Sequence, residues 1–172
     1  MDPDRFERCV ILAVDDEDDD IELMRLLFQK AGITLPVQVF RRGEDLIQAL
    51  TAVMAKPGDS ALPLLCFLDV KMPSMNGHEL LEWIRTRPQL DRLAVIMLSS
   101  SDHPVDVKQA AAGGAQCYLA KYPQPQTLRR VLEEAERRSR RADSARDEWF
   151  QLPDNLLLRY ADGDFGATNR GI

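Results

Sequence analysis

Acidic side chains follow two of the apolar runs in this sequence, at the positions where a buried strand would end. Asp15 and Asp16 come directly after the run 9–14, and Asp69 comes directly after the run 64–68. Carboxylates that meet on neighbouring strand ends repel one another, which either raises a pKa or requires a cation. Oxygen ligands at a half-open site suit Mg²⁺, which keeps part of its hydration shell. The three aspartates therefore predict a divalent metal site.

A hydroxyl and an ammonium group complete the predicted site. Ser99 follows the apolar run 94–98, and Lys121 follows the run 116–120. Taken singly, such a serine is usually a turn or cap residue and such a lysine is usually on the surface. Beside a metal-bound carboxylate, however, they are the groups needed to accept a phosphoryl group. The metal and the lysine neutralise its oxygens, and the hydroxyl can bond one of them.

The acidic run 15–20 also has two simpler interpretations. Taken alone, such a run is usually a solvated charged loop, an interpretation that the addition of Asp69 weakens. A calcium loop of the EF-hand type fits less well, because the spacing of Asp16, Asp18 and Asp20 lacks the following glycine and the closing glutamate.

These side chains must be positioned by a repeated strand and helix pattern. Five apolar runs alternate with longer segments of helical period, which is typical of a parallel sheet covered by helices on both faces. Only the second run alternates in polarity, so we expect it at an edge of the sheet. The predicted strands are 9–14, 37–40, 64–68, 94–98 and 116–120. In such α/β sheets the site lies outside the carboxyl ends of the strands.

Helices are predicted between these strands. The first spans 17–30 and is ended by Gly32, and the second spans 44–55. The third follows Asn76-Gly77, and the fourth starts near Pro104 and ends at 113–114. The fifth begins at about residue 126 and extends into a charged segment.

Composition sets the class of protein. The chain has 172 residues, of which 45% are apolar, as expected for one soluble domain. Its longest apolar stretch, 61–68, is far shorter than the roughly 18 residues that a membrane-spanning helix needs. No secretory signal is predicted, so we expect a cytoplasmic protein. The net charge of −6 argues against nucleic acid or anionic lipid as a partner.

Cysteine usage indicates neither disulfides nor zinc. Cys9, Cys66 and Cys117 are far apart, odd in number and never in a Cys-x-x-Cys spacing. Each lies in an apolar run, where free cysteine behaves as a small hydrophobic residue. We expect all three in the core.

Over residues 8–136 the chain resembles the receiver domain of two-component response regulators. The family pattern appears in order: an acidic pair after strand one, an Asp followed by Met-Pro-x-Met-Asn-Gly after strand three, a Ser after strand four and a Lys after strand five. The resemblance implies a doubly wound, flavodoxin-like (βα)5 fold with strand order 2-1-3-4-5. It also implies that Asp69 accepts a phosphoryl group from a phosphohistidine of a sensor histidine kinase or phosphotransfer protein. Such a protein assists its own phosphorylation and dephosphorylation but is not an enzyme in the ordinary sense.

The resemblance assigns the metal ligands. It places Mg²⁺ on Asp16, Asp69 and the backbone carbonyl of Lys71, with Asp15 acting largely through water. The roles of Lys121 and Ser99 also follow from it.

Lys121 would contact the phosphoryl group on Asp69, and Ser99 would move towards it. Tyr118, three residues before Lys121, matches the aromatic switch position whose ring follows that hydroxyl inward. The simpler alternative is a core tyrosine of an edge strand.

One departure from the family pattern follows Lys121. The usual Lys-Pro is here Lys121-Tyr122-Pro123, so the family's cis peptide bond after the lysine would cost about 2.5–4 kcal/mol in the absence of an adjoining proline. The run Asp15-Asp16 with Asp20, and the segment 121–125, resemble stand-alone receivers that serve phytochrome-like histidine kinases.

Residues 137–172 are expected to form a charged helix extension and an aromatic tail. The arginines of 137–141 lie close to acidic residues, which favours a solvated helix over a nucleic-acid patch. The tail holds four of the eleven aromatic residues beside 156–158, too much apolar surface to leave in water. We expect it to dock on its own receiver or on a second copy. A second copy is therefore one predicted partner, in a homodimer formed through the tail or through the face of helix four, strand five and helix five.

The sequence suggests two other function classes. A receiver-fold binding module that signals without phosphorylation remains the alternative. An aspartate-nucleophile phosphatase resembling haloacid dehalogenases is disfavoured, because Asp69 follows the third strand and Lys71 stands where a second carboxylate would act as general acid.

Overall fold

Five parallel strands form the centre of the fold in the computed structural model, which describes residues 10–55, 63–141 and 149–161. The strands are β1 (Val10–Val14), β2 (Val37–Phe40), β3 (Pro63–Asp69), β4 (Ala94–Ser99) and β5 (Cys117–Ala120). Their order in the sheet is β2-β1-β3-β4-β5, with every pair parallel. This confirms both the predicted order and the edge position of the second strand.

Two strands extend one residue further than the sequence predicted. Asp69 and Ser99 are the last residues of β3 and β4 instead of the first residues after them. Gln116 lies before β5. Its backbone N–H donates to the Val95 carbonyl at 2.9 Å, its side-chain Oε1 accepts from the Val95 N–H at 2.7 Å, and its side-chain amide donates to the Gly114 carbonyl at 3.0 Å. Cys9 lies outside the described residues.

Six helices surround the sheet in the described parts of the chain. They are α1 (Asp18–Lys30), α2 (Gly43–Ala55), α3 (Gly77–Arg85), α4 (Pro104–Ala112), α5 (Pro125–Arg140) and α6 (Leu156–Ala161). The chain leaves α1 through Gly32, whose φ of 69° lies in the left-handed region that glycine enters at little cost. The bounds of α1 to α5 agree with the predicted segments to within about one residue, whereas α6 was not predicted as a helix.

Alternate strand residues face two separate apolar cores, one on each side of the sheet. Leu12, Cys66 and Tyr118 lie in one core, and Ile11 and Cys117 lie in the other. Burial raises the pKa of the Cys66 thiol to about 12, which keeps it protonated and unreactive. Both described cysteines are thus core residues, as predicted.

Residues 149–158 lie along β5, which would otherwise be an edge strand. The Phe150 N–H donates to the Gln116 carbonyl at 2.8 Å, and the Asn155 Oδ1 accepts from the Tyr118 N–H at 3.1 Å. Leu156 packs into the core that contains Tyr118, and Phe150 packs into the core on the other side. This segment of the tail therefore docks on its own chain, whereas Phe165 lies outside the described residues.

One arginine of the charged extension departs from the solvated helix that we expected. Arg138 is only 4% exposed and donates to the Asp91 carbonyl at 3.3 Å. It is buried because it lies on the face of α5 that also buries Val131 and Ala135.

None of the helices in the described ranges combines the length and the apolarity that a bilayer crossing would demand.

Candidate functional site

Three carboxylates meet where β1 and β3 end side by side. One ligand oxygen from each of Asp15, Asp16 and Asp69 lies within 4.8 Å of the others. Asp15 and Asp69 are only 6% and 5% exposed, so their charges are poorly screened by water. The structure therefore brings together the three aspartates that the sequence singled out.

The donor set fits a hard divalent cation. The Oδ1 atom of Asp16 is buried and has no hydrogen-bond partner among the described residues, whereas Asp15 accepts from the Glu17 N–H at 3.1 Å. An unpaired buried oxygen costs free energy unless something binds it. A cation shared with Asp15 and Asp69 would satisfy it.

Lys121 directly follows β5 and reaches the carboxylates at the ends of β1 and β3. Its Nζ lies 2.7 Å from Asp15 Oδ2, 2.6 Å from Asp20 Oδ2 and 3.2 Å from Asp69 Oδ1. The Lys121 N–H donates to the Ser99 carbonyl at 2.8 Å, which anchors the backbone at the end of β5. The Lys121–Tyr122 peptide bond is cis, as in the family despite the absence of proline at the second position.

Electrostatics at the site favour added positive charge. Burial raises the pKa values of Asp15 and Asp69, although Lys121 opposes the rise in both. Burial alone would lower the pKa of Lys121, but the hydrogen bonds to Asp15 and Asp20 outweigh it and raise this pKa. One ammonium thus offsets only part of the charge of the surrounding carboxylates.

Ser99 and Tyr118 are buried beside the site. Ser99 is 1% exposed, and its hydroxyl oxygen accepts from the Ser101 N–H at 3.1 Å. The Tyr118 ring is fully buried, and its hydroxyl donates to the Ser101 carbonyl at 3.0 Å. Burial raises the pKa of the Tyr118 phenol. The ring thus occupies an inward position in this structure.

The loop after β3 is held close to the strand end by Asn76 and Gly77. Asn76 and Glu79 form a reciprocal capping box, which fixes the start of α3. The Gly77 N–H donates to the Val70 carbonyl at 3.2 Å, and a Cβ at Gly77 would lie 2.4 Å from the Asp69 carbonyl oxygen. The Lys71 side chain is exposed, and its backbone N–H bonds the Asp69 carboxylate. The role of its carbonyl as a metal ligand stays a prediction.

Two residues, Asp20 and Tyr122, join the hydrogen-bond network of Lys121 without having been predicted to do so. Asp20 accepts from Lys121, and its second oxygen accepts from the Tyr122 hydroxyl. Both occur in the segments that resemble phytochrome-type receivers, but the family pattern gives them no role. Their contacts span about 100 residues of sequence, and only the acidic first turn of α1 hinted at a cationic neighbour.

Known proteins match most of this chain. Residues 11–133 match the family model of the response regulator receiver domain. Response regulator Rcp1 from Synechocystis sp. is 30% identical over 115 residues, which cover 65% of this chain and 76% of Rcp1. The probable methanogenesis regulatory protein FilR2 from Methanothrix harundinacea is 28% identical over 125 residues, which cover 73% of this chain and 79% of FilR2.

Solved structures agree with these matches. The Mn²⁺-bound form of Rcp1 has a TM-score of 0.55 and 25% identity, covering 79% of this chain and 97% of that one. The bacteriophytochrome response regulator AtBRR has a TM-score of 0.61 and 25% identity, covering 75% of this chain and 90% of that one. The family model covers well over half of the sequence, and the sheet has the strand order 2-1-3-4-5 that the resemblance implied. The chain therefore belongs to the response regulator receiver domain family.

Proposed function

We propose that this chain is a single-domain response regulator whose Asp69 accepts a phosphoryl group from a phosphohistidine of a sensor histidine kinase or phosphotransfer protein. The observation that carries the proposal is the position of the Asp69 carboxylate. It is one of three carboxylates whose oxygens suit a divalent cation, and its Oδ1 lies 3.2 Å from the ammonium of Lys121. We propose residues 8–136 as the receiver and 137–172 as its extension.

The proposed transfer is a displacement at phosphorus. A carboxylate oxygen of Asp69 attacks and forms the P–O bond while the P–N bond to the imidazole breaks; the leaving nitrogen keeps the electron pair and takes up a proton. Lys121 offsets charge on the phosphoryl oxygens, and the Ser99 hydroxyl can bond one of them. We propose Mg²⁺ as the cation, held by Asp15, Asp16, Asp69 and the carbonyl of Lys71, where it would neutralise the same oxygens.

The proposed output is an altered protein-binding surface. Phosphorylation replaces the single negative charge of the Asp69 carboxylate with a phosphoryl group that carries roughly −1.5 to −2, which would draw the Ser99 hydroxyl and the adjoining Tyr118 towards a new arrangement. The affected surface, formed by α4, β5 and α5, is the one along which residues 149–158 lie. A homodimer through this face or the tail would have to displace these contacts or remake them between two copies, and light scattering is the measurement for it.

Phosphodonor labelling tests the proposal. We expect acetyl phosphate with Mg²⁺ to add the mass of one phosphate to the wild type, and Asp69→Asn to gain none. Asp19→Asn is the matched control, because Asp19 is exposed and lies outside the aspartate group. Absence of a mass gain in the wild type under saturating Mg²⁺, or an equal gain in Asp69→Asn, would contradict the proposal.

One observation favours a second candidate function, a binding module that signals without phosphorylation. The Tyr118 ring is already fully buried with its hydroxyl bonded to Ser101, so the inward position needs no phosphoryl group. A partner affinity that is the same with and without Mg²⁺ and phosphodonor would identify this function.

The similarity to Rcp1 and to the bacteriophytochrome response regulator AtBRR supports a narrower proposal about the donor. We propose a phytochrome-like histidine kinase, acting with this protein in the cytoplasm. Faster phosphotransfer from such a kinase than from an unrelated histidine kinase is the expected result.

A further inference from the structure

We infer that Asp20 is a positioning residue that competes with a phosphoryl group on Asp69 for the ammonium of Lys121. This inference rests on the proposed function and adds to it a residue outside the proposed metal ligands. It predicts that Asp20, together with Tyr122, sets how readily Lys121 engages the phosphorylated site.

The Lys121 ammonium is already engaged by three carboxylates. It donates hydrogen bonds to Asp15 and Asp20 and forms an ion pair with Asp69. An ammonium donates three hydrogen bonds, and its Nζ lies within 3.2 Å of oxygens from Asp15, Asp20 and Asp69. The contact with Asp20 is the shortest, at 2.6 Å. A phosphoryl oxygen on Asp69 can take the place of the Asp69 contact, but drawing Lys121 towards it competes with the hydrogen bonds to Asp15 and Asp20.

Asp20 differs from the other two acceptors in its relation to the cation site. Asp15 and Asp69 share that site with Asp16, and Asp20 is not part of the group. A bound divalent cation would therefore offset charge on Asp15 and Asp69 while leaving the carboxylate of Asp20 as the strongest remaining competitor. The Asp20 side chain is only 18% exposed and that of Lys121 only 7%, so water screens their attraction weakly.

Tyr122 moderates this competition. Its hydroxyl donates to Oδ1 of Asp20, while Lys121 donates to Oδ2 of the same carboxylate. A hydrogen-bond donor on one carboxylate oxygen withdraws negative charge from the second oxygen, so the second oxygen becomes a weaker acceptor. Removal of the Tyr122 hydroxyl should therefore strengthen the hold of Asp20 on Lys121, and removal of the Asp20 charge should release it.

The experiment measures beryllofluoride affinity at saturating Mg²⁺ for the wild type and three variants. We expect Asp20→Asn to bind about 3- to 10-fold more tightly, since weakening a charged hydrogen bond is worth on the order of one decade. Tyr122→Phe should bind about 2-fold more weakly. Asp19→Asn removes the same formal charge from the same helical turn and should change the affinity by less than about 2-fold, as expected for an exposed charge.

A spectroscopic readout without metal separates positioning from simple structural support. In the metal-free protein, Asp20→Asn should shift the ¹⁵Nζ resonance of Lys121 and speed the exchange of its ammonium protons, whereas Asp19→Asn should leave both unchanged. Loss of fold would weaken binding in both Asp20→Asn and Tyr122→Phe, so opposite signs exclude it as the cause.

Equal or weaker beryllofluoride binding by Asp20→Asn relative to Asp19→Asn would overturn the inference while the proposed function stood. If the wild type itself bound no beryllofluoride, the proposed function would fail as well.

Discussion

His78 is a half-buried titratable residue whose two ring nitrogens are buried. It lies in the first turn of α3, and neither of its ring nitrogens has a hydrogen-bond partner within the described part of the chain. Burial lowers its pKa below the ordinary 6.5, and the nearby Asp106 only partly opposes this. Because the unfolded chain binds the proton more tightly than the folded protein does, stability should fall as the pH drops from above 6.5 towards the lowered value.

Replacement of His78 by Met should remove this pH dependence. The difference in the free energy of unfolding between His78→Met and the wild type should grow in favour of the variant as the pH falls from 7.5 to 5. Its slope cannot exceed about 1.4 kcal/mol per pH unit, the value for one proton. Urea denaturation at several pH values measures it, and parallel curves over the whole range would show that His78 does not titrate differently on folding.

Residue types predicted the chemistry of the site better than its geometry. Asp15, Asp16 and Asp69 follow apolar runs, so their meeting could be inferred from the rule that parallel strands end at one edge. The pairing of Asp20 with Lys121 could not, because it depends on where the fold places the start of α1 relative to the end of β5. No local pattern encodes a contact between residues 101 positions apart.

The joint between β3 and α3 fixes Asp69 with little room to spare. A Cβ at Gly77 would lie 2.4 Å from the Asp69 carbonyl oxygen and 3.0 Å from the Met97 side chain. Backbone atoms cannot move aside as a flexible side chain can, so a substitution here must shift the end of β3 or the start of α3.

Gly77→Ala should therefore weaken both the fold and the site. We expect a loss of about 1–3 kcal/mol in the free energy of unfolding, typical of overpacking, together with weaker Mg²⁺ binding because Asp69 is displaced. Thermal unfolding and Mg²⁺ titration check the two effects. Gly43→Ala is the control, since its added Cβ would meet only the Leu80 side chain at 3.1 Å; equal effects of the two substitutions would contradict the explanation.

The presence of the strands and of the helices α1 to α5 could be predicted from hydrophobic periodicity, whereas the positions of some of their ends could not. Gln116 belongs to an apolar run of the sequence but lies outside β5, where its side chain accepts the hydrogen bond of the Val95 N–H. The start of α3 was marked correctly by Asn76 and Gly77, since a capping residue is a local signal. Local sequence signals such as capping residues therefore predicted where some elements begin. Where a side chain bonds distant backbone groups, the boundary differed from the predicted one.

The docking of residues 149–158 joins the extension to both cores of the receiver. Asn155 is fully buried; its Oδ1 accepts from the N–H groups of Tyr118 and Leu157, and its Nδ2 donates to the Phe150 carbonyl at 2.8 Å. The apolar content of the tail predicted that it would dock. The surface that it covers could not be predicted, because a single asparagine sets the register.

Asn155→Ala should loosen the segment from β5. Loss of the acceptor leaves the buried Tyr118 N–H unpaired, at a cost of about 1–3 kcal/mol. Hydrogen exchange of the Tyr118 amide should accelerate, because its protection comes from this side chain. Gln151→Ala, at an exposed position of the same segment, should leave exchange unchanged, and retained protection in Asn155→Ala would show that the segment stays docked by apolar packing alone.

Asn155 also lies at the open edge of β5, where another polypeptide could otherwise pair as an added strand. An unpaired strand border is a template for aggregation, and proteins commonly blunt it with a covering loop or helix. Here the Tyr118 N–H already donates to Asn155, so a neighbouring molecule cannot add a strand to β5 while residues 149–158 are bound. A chain shortened before residue 149 should consequently lose solubility at high concentration, independently of any signalling defect.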